Sequence, residues 1–460
     1  MKNWKQYIVV FIMSTFIGCS NKTGVYNVKD YGAIADGKTI NTVAIQKAID
    51  KCNIDGGGIV ILENGDYISG TLLLKDNVTL HVKKNAQLIG SKNPLDYQTV
   101  DTFVDATGQV RGNCLIGAKN ATNIAVIGQG IINGNGTAFK ANKLKETIKE
   151  LGIVKTKGFG TNRPFLLRFV NSSKIKIQDI QLRQPAAWTC HFYQSNDILV
   201  DNVSIYSHAH KNNDGIDLDS SYDAVIKNCT IDAGDDAICF KTTSPKPTYN
   251  IKVANCKLKS DWGTIKFGTE SMGDMYNIDI ENCEVYDTKG GGIKILSVDG
   301  ANIHDLTIDS IKMNNVDMPI FIRLGERLRT YRKAEKQQVG SITNIFISNV
   351  TGTTRAIDSS RVTPPSGILI TGTPNHKIGA VTLKNIALEL PGGGVKAHKT
   401  VTVAEDETRY PEFSFFKTLP AYGLYSRHVK KLKIENVSFN VTSEDQREAI
   451  YLEDTQKILE

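Results

Sequence analysis

A tetrapeptide pattern returns along this chain at nearly fixed intervals. Asn202-Val-Ser-Ile, Asn228-Cys-Thr-Ile, Asn255-Cys-Lys-Leu and Asn282-Cys-Glu-Val follow one another at steps of 26, 27 and 27 residues. Later copies are Asn349-Val-Thr-Gly, Asn385-Ile-Ala-Leu and Asn436-Val-Ser-Phe. Each sits between short alternating apolar segments such as NDILVDNVSIYS and YNIKVANCKLKS. Short strands broken by Gly, Asn and Asp at a constant period build a solenoid of strand-bearing coils. Equivalent side chains then stack inside, and asparagines in the turns bond to neighbouring backbone. A β-sandwich also has many short strands, but nothing in it maintains such a register across three coils.

The expected fold is therefore all-β, with one exception near its start. Thr42 to Cys52 carries apolar residues at Val43, Ile45, Ala48 and Ile49, the spacing of a short helix. Such a helix suits the end of a solenoid, where the first coil has no neighbour. GGGIVILENGDYISGTLLLKDNVTLHV then supplies the first coils. Less regular stretches near 140–163, 324–340 and 398–419 read as long loops leaving the stack. No low-complexity linker divides residues 25–460, so they are taken as one domain. Cys229, Cys256 and Cys283 follow asparagines 27 residues apart, with no His or Cys at metal-site spacing. They read as core thiols.

Within this frame, NNDGIDLDSS from Asn212 and AGDDAICFK from Ala233 stand out. Asp214 precedes Asp235 by 21 residues, about one coil, so the two are expected to stand one above the other, with Asp236 beside them. Gly234 lets the chain bend where two successive side chains must both be presented. Hydrolysis of a glycosidic bond needs a protonated acid for the bridging oxygen and a carboxylate opposite it. Three clustered carboxylates offer this without a metal, because like charges push at least one pKa upward. Calcium sites in extracellular solenoids use the same residues, so spacing alone leaves both readings open.

The sequence resembles glycoside hydrolase family 28, the polygalacturonase family of right-handed parallel β-helices. Asn212-Asn213-Asp214 stands at the family's Asn-Thr-Asp motif, and Asp235 and Asp236 at its paired aspartates. Lys294, in GGGIKILS, matches the lysine of the family's Arg-Ile-Lys motif. YNVKDYGAIADG, RPFLLRFVNS, QPAAWTCHF and LPAYGLYSRH extend the likeness over nearly the whole chain after the leader. The resemblance implies an inverting hydrolase with Asp235 as general acid. Asp214 and Asp236 would then position and deprotonate the water, and Lys294 would bind a sugar carboxylate, the partner an ammonium suits.

Two departures alter the expected sugar site. Trp262 stands where the family has the histidine of Gly-His-Gly, and Gly292 where it has an arginine. These changes argue against a standard endo-polygalacturonase: a tryptophan can stack on a sugar, and a glycine opens space. Lys266 and Glu270, in the same coil as Trp262, are candidate substrate ligands, with 262, 264 and 266 sharing a strand face. Arg323, 29 residues after Lys294, is the candidate replacement cation. Arg327, Arg329, Arg332 and Lys333 make the next loop basic, either a solvated loop or a rim for an anionic polysaccharide. His208 and His210 are candidates for the cleft wall, and His210 is taken as a substrate ligand. His191 reads as buried, and Trp188 suits either core or sugar. No cofactor is expected.

The formal charge of +7 becomes +5 without Lys2 and Lys5, a balance that suits an acidic partner. No aromatic-interleaved basic motif points to nucleic acid. MKNWKQYIVVFIMSTFIGCS reads as a leader over residues 1–18, with Cys19 lipidated because FIGC resembles a bacterial lipobox. No acidic run follows Cys19, so an outer-membrane lipoprotein facing the periplasm is expected. The substrate expected is a pectic or other acidic plant oligosaccharide, cleaved by a monomeric, exo-acting enzyme. Three alternatives stand: an exo-glycosidase for rhamnose, xylose or galactose units of pectin, a polysaccharide lyase on the same fold, and a non-catalytic solenoid.

Overall fold

The computed structural model describes residues 24–154 and 162–458; the leader and Cys19 lie outside them. The chain winds into the expected right-handed parallel β-helix, with one continuous sheet running from Gly24 to Ile458. Its coils present three faces. One begins Gly24–Asn27, Gly58–Leu62 and Val78–Val82, stacked in parallel. A second begins Asp36–Ile40, Gly65–Ser69 and Ala86–Gly90. The third face stacks Cys190–Tyr193, Ile216–Asp219, Ile238–Thr242, Ile265–Ser271, Ile293–Ser297, Ile320–Leu324 and Ile368–Thr371. This third face carries the acidic residues.

Strand alternation explains how one face can serve both core and chemistry. Ile216, Leu218, Ile238, Phe240, Ile265 and Phe267 point inward and stack in the central core. Each such burial contributes about 1.5–3 kcal/mol. Asp217, Cys239, Lys266 and Lys294 form the outward column in register, and loops bury them in turn.

The repeat asparagines do what the period implies. Asn202, Asn228, Asn255 and Asn282 all adopt left-handed backbone, with φ of 53°, 56°, 55° and 53°. Asparagine tolerates this region better than other non-glycine residues. Their side chains bond from coil to coil, for example Asn228 Nδ2 to Asp201 Oδ1 at 2.8 Å and Asn436 Nδ2 to Asn385 Oδ1 at 2.9 Å. Cys229, Cys256 and Cys283 lie buried behind them as free thiols.

The cap is a helix over Thr42–Ile54 that buries Ile45, Ala48, Ile49 and Cys52. Val43, expected on the buried face, points to solvent instead. Within the 140–163 stretch expected as a loop, Ala141–Glu150 is an α-helix. Its lysines and glutamates are good helix formers, and Lys143 pairs with Glu146 one turn on. The 398–419 loop packs Phe413 and Phe416 against Leu296, Phe321, Leu369 and Tyr425 of the third face.

Candidate active site

The register of the third face brings the carboxylates together, one residue away from the expected alignment. Ile216 pairs with Ile238, an offset of 22. Gly215 N donates to Asp236 O at 2.8 Å, which places Asp214 over Asp236 rather than over Asp235. Asp235 stands beside that column, in the turn before the strand. One carboxylate oxygen of each lies within 4.8 Å of the other two. Asp214 and Asp236 are buried, and Asp235 is half-buried.

The three carboxylates differ in their cations. Lys241 Nζ lies 3.0 Å from both Asp214 Oδ2 and Asp217 Oδ1. Lys266 Nζ lies 2.6 Å from Asp236 Oδ2, whose other oxygen accepts from Gly263 N at 3.1 Å. Burial opposes both ammonium charges, but Asp214 and Asp217 outweigh it at Lys241, and Asp236 does so at Lys266. Both lysines are held protonated. Asp235 forms no ion pair among the described residues; Asp236 N donates to its Oδ1 at 3.0 Å. Burial, and then the charges of Asp214 and Asp236, push the Asp235 carboxyl well above the usual carboxylate range. Burial also raises Asp214, against the pull of Lys241, and raises the fully buried Asp217 further.

These groups form the floor of a cleft of about 340 Å³ walled by Trp188, Trp262, Glu270 and Tyr410. The antiparallel hairpin Thr99–Val104 to Val110–Lys119 brings its tip, Asp105 to Thr107, to one side. Glu270 Oε1 accepts from Ala106 N at 3.1 Å and so ties the hairpin to the sheet. A bulge makes this possible: Phe240 and Thr242 face Phe267 and Ser271, so the later strand carries two extra residues. Asn212 Oδ1 accepts from Arg163 Nη2 at 3.0 Å and Arg111 Nη2 at 3.2 Å. Asn213 donates to Pro185 O at 2.9 Å and Ala187 O at 3.1 Å, which anchors the turn holding Asp214.

Of the expected ligands, Trp262, Lys266 and Glu270 line the cleft. Trp262 is already stacked on one side by the Arg361 guanidinium, 4.1 Å from its ring centre. Lys266 is committed to Asp236, so it fixes a carboxylate and is not free for a sugar carboxylate. Lys294 departs from its expected role: it is fully buried and donates to Glu412 Oε2 at 2.9 Å. Arg323 does not replace the missing arginine. Strand alternation turns it toward the 398–419 loop, where it bonds Gly372 O at 2.7 Å and Glu405 O at 2.7 Å. His210 does not line the cleft; its Nδ1 faces Arg163 and Lys211 N, each at 2.9 Å. Burial and Arg163 lower its pKa to about 4. His208 also lies off the cleft, on Asp232 at 2.6 Å. His191 is buried, as expected.

The basic 324–340 loop is more committed than its sequence implies. Arg327 pairs with Asp299 and Arg332 with Asp101, both at separations of 2.6 Å or less. Arg329 and Lys333 remain exposed at its edge.

Sequence reasoning missed Lys241, Asp217, Tyr410 and the hairpin tip. Lys241 had a signal: it ends the AGDDAICFK stretch and alternates with Cys239 on the outward face. Asp217 had the same one. Tyr410 and the tip reach the cleft through loops, which no period announces. Asp214, Asp235 and Asp236 also have the spacing of a candidate metal group. Lys241 and Lys266 already neutralise two of them, which disfavours a divalent cation there.

The family model for glycosyl hydrolases family 28 matches residues 67–408. The chain belongs to that family. Among curated relatives, the exo-poly-alpha-D-galacturonosidase of Dickeya chrysanthemi is 30% identical over 252 residues. That match covers 47% of this chain and 42% of the relative, so the chain spans under half of that relative's length. Among solved structures, the Yersinia enterocolitica family 28 exopolygalacturonase superposes with a TM-score of 0.70 at 20% identity, covering 95% of this chain and 78% of the other. An exopolygalacturonase from Thermotoga maritima gives 0.68 at 20% identity, with 91% and 92% covered. At that identity the likeness speaks to the fold alone.

Proposed function

We propose that the protein is a hydrolase of α-glycosidic bonds in galacturonate-containing pectic chains, acting from a chain end. One observation carries the chemistry: three carboxylates share one floor, two hold lysine partners, and Asp235 pairs with no cation among the described residues and is pushed toward its protonated form. Asp235 then donates its proton to the bridging oxygen as that bond breaks. Asp214 and Asp236, facing the same space, orient a water and take its proton as it attacks the anomeric carbon. Attack from the opposite side inverts the anomeric configuration. Carboxylate oxygens within 4.8 Å are closer than the ~6.5–9.5 Å of most inverting enzymes. The room left for a water is correspondingly small, so product configuration is the measurement on which inversion rests.

Exo action is supported by the walls that the hairpin tip and Tyr410 raise around a small cleft, and by the names of the relatives. We further propose one catalytic domain over residues 25–460, acting as a monomer. Residues 1–18 would be removed as a leader, and Cys19 lipidated for attachment in the cell envelope. Globomycin-sensitive labelling of the protein with a fatty acid tests the anchor.

The function is tested by incubation with oligogalacturonides of defined length, as free acids and as methyl esters, reading product size and anomeric configuration by NMR. Release of single terminal units with inverted configuration supports the proposal. An unsaturated product absorbing in the ultraviolet would identify a lyase instead. Asp235→Asn should lower turnover by about 10²–10⁴.

A further inference from the structure

Glu412 is buried to 1% exposure on a loop anchored by two phenylalanines. Its Oε2 accepts from Lys294 Nζ at 2.9 Å, and its Oε1 from Phe413 N at 3.1 Å. The carboxylate is thus oriented by its own loop as well as by the lysine. The two partners are 118 residues apart, so their meeting is a property of the tertiary fold. Phe413 and Phe416, packed against the third face, hold the loop down.

Lys294 stands one coil beyond Lys266 and in register with it. Its ammonium lies 5.7 Å from the ring centre of Trp262, a residue of the cleft wall. A cation in this place would be well set to take a sugar carboxylate. A buried ammonium already matched by a carboxylate has no net charge to offer a second anion. A substrate carboxylate brought here would meet Glu412 as a like charge. Vacating the position would mean lifting both phenylalanines from their apolar contacts.

We infer that Glu412 is a specificity-determining residue: it fills the anion position at Lys294 from within the chain, so the sugar unit seated beside Trp262 is uncharged. This rests on the glycosidase reading and narrows it, since a galacturonate-containing chain must then present an uncharged unit at this position.

The test compares trigalacturonate with its fully methyl-esterified form on three proteins: wild type, Glu412→Gln, and the charge-free double variant Lys294→Met/Glu412→Leu. Glu412→Gln should raise the acid-to-ester ratio of kcat/KM by about tenfold or more, mainly through KM, because it leaves an unpaired ammonium. The double variant should stay within about threefold of the wild-type ratio. A folded Glu412→Gln with an unchanged ratio would overturn the inference. If that variant does not fold, the double variant decides. A retained ratio supports the inference, and loss of an acid preference shows Lys294 serving substrate and overturns it. Absence of turnover by the wild type on both forms defeats the glycosidase reading instead. Calorimetric binding of galacturonate and methyl galacturonate to the same proteins then gives the ratio.

Discussion

Lys266 holds Asp236 at 2.6 Å, while Asp235, next in the chain, pairs with no cation among the described residues. The asymmetry arises from the strand and its turn. Asp236 stands in the column that Lys266 reaches, whereas Asp235 lies beside it. Two carboxylates of equal intrinsic acidity are thereby pushed into different roles.

The same asymmetry makes Asp235 a liability at high pH. Burial and its neighbours raise its folded-state pKa, so folding favours the protonated form. Its contribution to stability is complete below the ordinary carboxylate range and is lost as pH rises through the raised value. Asp235→Asn cannot ionise. The variant should melt above the wild type at alkaline pH, with the gap closing as pH falls into the ordinary carboxylate range. Differential scanning calorimetry across this range gives the answer, and a variant less stable at the alkaline end would place the proton elsewhere.

Lys241 is the cation for both Asp214 and Asp217, each 3.0 Å away. All three side chains are almost fully buried. Lys241→Met should therefore cost about 3–5 kcal/mol, the scale of an unpaired buried charge. Adding Asp217→Asn should recover part of the loss by removing one stranded carboxylate. Urea melts of the four proteins in this cycle measure the coupling, and additivity would show that Lys241 and Asp217 do not interact.

The sequence made the solenoid legible because a coil is a period, and periods survive in one chain. It also drew attention to Asp214, Asp235 and Asp236, since about one coil of chain separates the first from the other two. The alignment of Asp214 with Asp236 was not legible: the coil length of 22 on this face becomes visible only in the hydrogen bonds of Gly215 and Ile216. The true partners of Lys294 and Arg323 were hidden for another reason. Glu412 and the Glu405 carbonyl arrive from a long loop, and tertiary placement of a loop leaves no spacing to read. Glu270 reached the cleft through a bulge, which strand alternation does not foresee.

Gly263 tests how finely Asp236 is placed. A Cβ there would lie 2.9 Å from Asp236 Oδ1, 3.0 Å from Lys294 Cδ and 3.2 Å from Lys266 Cδ. All three atoms belong to side chains, so the backbone of the coil can stay while the carboxylate shifts. Gly263→Ala should fold normally and yet lose about 10²-fold in kcat, as small displacements of reacting groups do. Gly215→Ala is the contrasting case: its Cβ would lie 2.4 Å from the Ala237 carbonyl, a backbone atom. That variant should lose about 1–3 kcal/mol of stability through overpacking. Thermal melts and initial rates on both proteins separate the effects. Full activity in a folded Gly263→Ala protein would mean that Asp236 tolerates displacement, and its role in positioning the water would fall.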